Sequence, residues 1–235
     1  MFTGGFMEII NLTKEEFLNM LFNKEPFNIG YFGILCLKDE KLYKINYRDF
    51  IDVYLKNSNT EIDELVEMDL KINKKIGYKY KDPKYRIEEF TRLKDTMTND
   101  LITGVLSYRN LYVGVVMNYY KDYVSLMKVA DGITLERLYY FINRAALLLY
   151  DLMDHGIIPR DIKEDNILVN LNTNDVKLID LDDINTIYGP FDYVKQYPNH
   201  KLSIKASIVD MTKRLTVGKR KVKTLSDEFR NFDWY

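Results

Sequence analysis

Asp161, Lys163 and Asn166 share one short polar turn, and Asp180 follows after two apolar runs, Ile167-Leu168-Val169 and Val176 to Ile179. Two strands flanking such a turn bring a carboxylate, an amine, a carboxamide and a second carboxylate to the same end of a small sheet. Transfer of a phosphoryl group from a magnesium nucleotide uses this set: a carboxylate for the acceptor hydroxyl, an ammonium against the moving group, and oxygen ligands for the metal. A hairpin whose Asp and Asn only satisfy a turn would leave Lys163 without a role.

The elements around this turn read as its scaffold. Leu135, Leu138, Ile142, Ala145, Leu149 and Leu152 recur at steps of three and four, the stripe of a long core helix over 134–153, which His155 and Gly156 end. Near the start of the chain, Thr13-Lys14-Glu15-Glu16 has the form of a capping box ahead of Phe17, Met20 and Leu21. Asn28 to Leu35 carries Gly30 and Gly33, whose missing Cβ atoms would let backbone N–H groups approach phosphate oxygens. Strands are predicted over 34–38 and 42–46 around a tight hairpin, then over 101–106 and 111–117, the last almost wholly apolar and so buried. Helices are predicted over 61–76 and 83–97, the latter opened by Asp82-Pro83, and over 202–215, with a loop over 184–198.

Arg160-Asp161-x-Lys163-x-x-Asn166, followed by Asp180-Leu181-Asp182, resembles the catalytic and metal-binding loops of eukaryotic-type (Hanks-type) serine/threonine protein kinases. The resemblance covers about residues 27–185. It implies an α+β, bilobal protein-kinase-like fold: an N-terminal antiparallel sheet plus helix in a nucleotide-binding lobe, 1–120, and a mainly helical, shortened C-terminal lobe, 121–235. On this resemblance Asp161 and Lys163 are catalytic, Asn166 and Asp180 bind magnesium, and Gly30, Gly33 and Lys44 hold ATP phosphates. Glu89 is the first choice for the glutamate that tethers Lys44, with Glu64 and Glu67 as rivals. Met117 is placed as the gatekeeper, the backbone from Asn118 to Tyr120 at the adenine edge, and Leu168 beneath the ring. Lysine two positions after the aspartate is the pattern of transfer to a protein serine or threonine. Phosphorylation of a small molecule and a nucleotide-binding pseudokinase scaffold are the alternatives.

The sequence departs from that family at Pro159, where a histidine is usual, and at Asp182, where a glycine is usual. Both positions are expected to lie outside the phosphate chemistry, and Leu181 stands where an aromatic residue is usual. No Ala-Pro-Glu follows, so binding of a peptide substrate is less well founded than binding of ATP and Mg2+.

Composition bounds the remaining classes. With 34 basic and 35 acidic residues in 235, no overall field favours nucleic acid or an anionic membrane. The sole cysteine, Cys36, excludes an internal disulfide. The start of the chain lacks the pattern of a signal peptide, and the apolar runs fall far short of a membrane helix, so a cytoplasmic protein is expected. Lys213-Arg214, Lys219-Arg220-Lys221 and Lys223 form a basic run that reads as a solvated face, with an acidic peptide or nucleic acid as the functional alternative.

Overall fold

A computed structural model describes residues 7–22, 26–29, 33–46, 64, 82–182, 184–186 and 197–216. Gly30 and Glu67 lie outside the described residues, as do 219–223, and in the 61–76 segment only Glu64 is described, helical and exposed.

The architecture is α+β. Strand β1 (Glu8–Asn11) leads into α1 (Lys14–Leu21), where Thr13 accepts from Glu16 N at 3.2 Å and Glu16 Oε2 accepts from Thr13 N at 2.8 Å. This reciprocal cap is worth about 1 kcal/mol. It fixes the helix so that Phe17 and Leu21, four apart, are both buried, and the Phe17 ring stacks on Tyr108 with centroids 4.6 Å apart.

Strands β2 (Asn28–Ile29), β3 (Ile34–Lys38), β4 (Lys41–Ile45), β5 (Ile102–Tyr108) and β6 (Leu111–Asn118) join β1 in one six-stranded sheet ordered β1-β5-β6-β4-β3-β2. All neighbours are antiparallel except β1 and β5. Two hairpins set the register. Asp39-Glu40 and Arg109-Asn110 both take left-handed backbone at each residue, with φ from 48° to 63°, the mirror-image turn whose twist matches that of paired strands. Strand β6 sits between β4 and β5, buried from Leu111 to Met117.

Helix α2 (Pro83–Thr91) starts where Asp82 accepts from Lys84 N at 2.9 Å, and proline at the first turn forfeits no hydrogen bond. It is shorter than its apolar pattern predicts. A 3-10 turn, Arg92–Asp95, follows, and Thr96 closes it by donating to the Leu93 carbonyl at 2.7 Å.

The core continues from Phe90, Val105 and Val115 into the second half of the chain. There β7 (Val124–Ser125) and a one-turn α3 (Leu126–Val129) precede α4 (Leu135–Asp154), which buries Leu138, Phe141, Ile142, Ala145, Leu149 and Leu152. Strands β8 (Ile157–Pro159), β9 (Ile167–Val169), β10 (Val176–Leu178) and β11 (Ile184–Thr186) form two small sheets, β10-β9-β7 and β11-β8. The 184–198 segment is therefore not all loop: Ile184, Asn185 and Thr186 pair with Pro159, Ile158 and Ile157. Three residues are too few for a periodic signal in sequence. Helix α5 (Tyr197–Thr216) packs on α4 through Ile204, Ile208, Met211 and Leu215.

Among the described residues no helix is long and apolar enough to cross a membrane.

Candidate active site

The polar turn of 160–166 hangs between β8 and β9, and its last three residues, Glu164–Asn166, form a 3-10 turn. Asn166 locks it from inside: Nδ2 donates to the Asp161 carbonyl at 2.9 Å and to Asp161 Oδ2 at 3.2 Å. The Lys163 ammonium also binds Asp161 Oδ2. Asp161 and Lys163 stay nearly half exposed, open to a reactant. The hydrogen bond it donates to Asp161 and the nearby charges of Asp161 and Asp180 raise the pKa of Lys163 against a smaller effect of burial, so Lys163 is a cation.

Strand pairing delivers Asp180 to the same place. Val169, Leu168 and Ile167 pair with Val176, Lys177 and Leu178, and the ladder closes where Ile179 N donates to the Asn166 carbonyl at 2.9 Å. The next residue, Asp180, has φ of 62°. An aspartate pays about 1 kcal/mol for that left-handed conformation, and the turn it makes sends the chain on to β11.

Lys44 reaches this turn from the large sheet. Its ammonium binds Asp180 Oδ1 and, at 2.7 Å, Asp182 Oδ1. Burial alone would push Lys44 down, but the two carboxylates outweigh it and hold its pKa above the ordinary value. The carboxylates divide unequally. Burial and its like-charged neighbour raise Asp180, whereas at Asp182 the Lys44 charge and two hydrogen bonds overcome burial and lower it. Asn46, just past the end of β4 and two residues from Lys44, donates to Asp182 Oδ2 at 2.8 Å and to Tyr112 Oη at 3.2 Å. Burial pushes the Tyr112 phenol up to about 12, so it remains neutral.

Glu89 is not the partner of Lys44. Its carboxylate accepts from Arg86 Nη1 at 2.5 Å and from Tyr85 Oη at 3.1 Å. Arg86 carries that pair to the site by donating to the Asp182 main-chain oxygen, with its guanidinium 4.5 Å from the Phe90 ring centroid and 4.9 Å from that of Tyr112. The physical reason is local: Arg86 lies one helical turn from Glu89, and a buried carboxylate takes the nearest cation. Asp182 is also not peripheral; it is 5% exposed and bonded to Lys44. Asn46, Arg86 and Asp182 are the site residues that sequence reasoning missed. The spacing Lys44-x-Asn46 and the pair Arg86-x-x-Glu89 were the available signals.

Gly33 has a structural duty of its own. A Cβ there would stand 2.8 Å from the Ile45 carbonyl oxygen and 3.1 Å from Asn46 Oδ1, so the close approach of β3 to β4 already demands glycine.

Met117 is buried at the end of β6, in register with Leu42 and Ile102. Asn118 N donates to the Leu101 carbonyl at 2.9 Å, and its side chain is bonded to Lys41 and to the Asp100 carbonyl. Tyr120 follows, its carbonyl accepting from Tyr123 N at 3.1 Å and its ring 5.5 Å from Lys177 Nζ. Leu168 pairs with Ser125 on one side and Lys177 on the other. The structure thus brings Asp161, Lys163 and Asn166 together and adds Lys44 and Asp180 beside them; it separates Glu89 from Lys44.

Of the basic run only Lys213 and Arg214 are described, and both are exposed. Arg214 forks onto Glu164, Nε to Oε1 at 3.0 Å and Nη2 to Oε2 at 2.8 Å, tying α5 to the polar turn.

Asn166 and Asp180 carry hard oxygen atoms of the kind that magnesium binds. With Nδ2 of Asn166 spent on Asp161, its Oδ1 is left as a hard oxygen donor, and magnesium commonly takes its other ligands from phosphate and water. Among the described residues no group of three or more His, Cys, Asp or Glu could hold a metal ion unaided. A scan against protein-family models finds no match, and a search of curated proteins finds no significant match.

Proposed function

We propose that the chain is a phosphotransferase with a protein-kinase-like fold, in which residues 1–120 bind nucleotide and 121–235 carry the catalytic turn. The observation that carries this reading is the meeting of Lys44, from the large sheet, with Asp180, next to the turn of Asp161, Lys163 and Asn166. A buried hairpin needs no lysine brought from across the molecule to a carboxylate that sits in strained backbone.

In this mechanism Asp161 receives or orients the acceptor hydroxyl, and because a carboxylate is a weak base, positioning is its main contribution. Lys163, already bonded to Asp161, is placed to neutralise charge on the transferring group. Asn166 and Asp180 would hold the metal, and Lys44 the α and β phosphates. Bound magnesium and ATP supply the phosphoryl group and the neutralisation of its charge. Met117, Asn118, Tyr120 and Leu168 are read as the adenine end of the site. The acceptor proposed is a protein serine or threonine hydroxyl, on the strength of Lys163 two positions after Asp161.

The test is transfer from labelled Mg-ATP to a generic protein acceptor and to a panel of small hydroxylated molecules. Transfer to protein, lost on the order of 10³-fold in Asp161→Asn, is the expected result. Label that moves only to small molecules overturns the protein acceptor; binding without transfer makes the chain a scaffold. Transfer that is unchanged in Asp161→Asn removes that residue from the mechanism.

A further inference from the structure

Lys44 is held by two carboxylates, and they differ in ways that decide which one stays. The side chain of Asp180 keeps 35% of its surface exposed, that of Asp182 only 4%. Asp182 is fixed from three sides: Lys44 on Oδ1, Asn46 on Oδ2, and Arg86 on its main-chain oxygen. Glu89, the one buried carboxylate of α2, is taken by Arg86 and Tyr85.

We propose that Asp182 is the positioning residue of Lys44: its buried carboxylate keeps the ammonium at the phosphate site, and Asp180 is the partner that Lys44 gives up when a magnesium nucleotide arrives. This rests on reading Lys44 as the phosphate anchor. An ammonium has three donors, so releasing one leaves the Asp182 bond intact while a phosphate oxygen replaces the other acceptor. Parting Lys44 from Asp180 releases the one of the two carboxylates that keeps contact with water, so it costs less than releasing the other. Parting it from Asp182 would strand a desolvated charge. Helix α2 therefore acts on Lys44 only indirectly, through Arg86 and the Asp182 carbonyl, and a residue type that looks like a loss at a glycine position supplies the counter-ion that the helix does not.

The experiment is NMR of the full chain with 13C-labelled lysine, the Lys44 Cε signal assigned with Lys44→Arg, alongside titration with Mg-ATP. Asp182→Asn is expected to displace the Lys44 signal, with Asp180 left as the sole charged partner, and to weaken Mg-ATP binding by about tenfold or more. Glu89→Gln is expected to lower the melting temperature and leave that signal in place, a separation that a general loss of structure would not produce. A Lys44 signal displaced by Glu89→Gln and not by Asp182→Asn overturns the proposal. If Asp182→Asn does not fold, Asn46→Ala removes one of the bonds that fix Asp182; a displaced Lys44 signal then supports the proposal and an unmoved one overturns it. Failure of wild-type protein to bind Mg-ATP refutes the phosphate-anchor reading by itself, since the ligand-free Lys44 signal still reports on Asp182.

Discussion

Substituting Gly114 by alanine should both destabilise the protein and displace Lys44. Gly114 lies in β6 opposite Ile45, and a Cβ built on it overlaps the Lys44 carbonyl oxygen, with the Lys44 carbonyl carbon at 3.0 Å and Ile45 Cα at 3.2 Å. All three obstacles are main chain, so no side chain can rotate aside. Strand β4 is held by β3 on its other edge, and restoring ordinary contact requires it to retreat by roughly 1 Å in a close-packed interior. Overpacking of this kind costs about 1–3 kcal/mol, and rigid backbone places Gly114→Ala at the upper end. At about 2–4 °C per kcal/mol for a chain of this size, the melting temperature should fall by about 6–12 °C. Because Lys44 is the residue pushed, any phosphoryl transfer should fall by about 10²-fold, the typical effect of a 1 Å misplacement. Gly132→Ala is the control: nothing lies within 4 Å of a Cβ there, so the change should stay within about 0.5 kcal/mol. Thermal denaturation of both variants, with Mg-ATP turnover measured below the transition, checks the reasoning. A Gly114→Ala protein that melts within about 2 °C of wild type would refute it.

Two further outcomes follow from the ion pairs. Arg86→Met should cost about 3 kcal/mol or more, because it leaves Glu89, 2% exposed, as an uncompensated buried charge; Arg86→Met with Glu89→Met should recover part of that loss in denaturant titration, and no recovery would mean that packing on Phe90 and Tyr112 is what matters. Glu164 has its pKa lowered by its hydrogen bonds from Arg214, against burial. A depressed acid contributes stability that is complete above its ordinary value of 4.5 and is lost as pH falls through the lowered folded value. Melting temperature should therefore drop below about pH 5, with a shallower drop in Glu164→Gln; equal slopes would exclude Glu164 as a source.

Periodic and local features were legible in sequence because their causes are local. The capping box of Thr13 and Glu16, the strands over 34–38 and 111–117, and the stripe of α4 are each written within one unbroken stretch of neighbouring residues, and each formed. The turn of Asp161, Lys163 and Asn166 was legible for the same reason, since the hydrogen bonds that close it span only five residues. Strand β11 was not legible: three residues carry no period, and it exists because β8 offers it an edge.

The amino-acid order alone indicated the first capped helix, the longer strands and the long helix α4, and that one short loop would gather a carboxylate, an amine and a carboxamide. What it left open was the counter-ion of Lys44. The family resemblance nominated Glu89, but charge pairing in a buried site is decided by which groups arrive within bonding distance after the chain has folded. Arg86, one turn away, took Glu89, and Asp182, 138 residues beyond Lys44 in the chain, took the lysine. Coulomb attraction acts on spatial distance, and only the packed structure sets that.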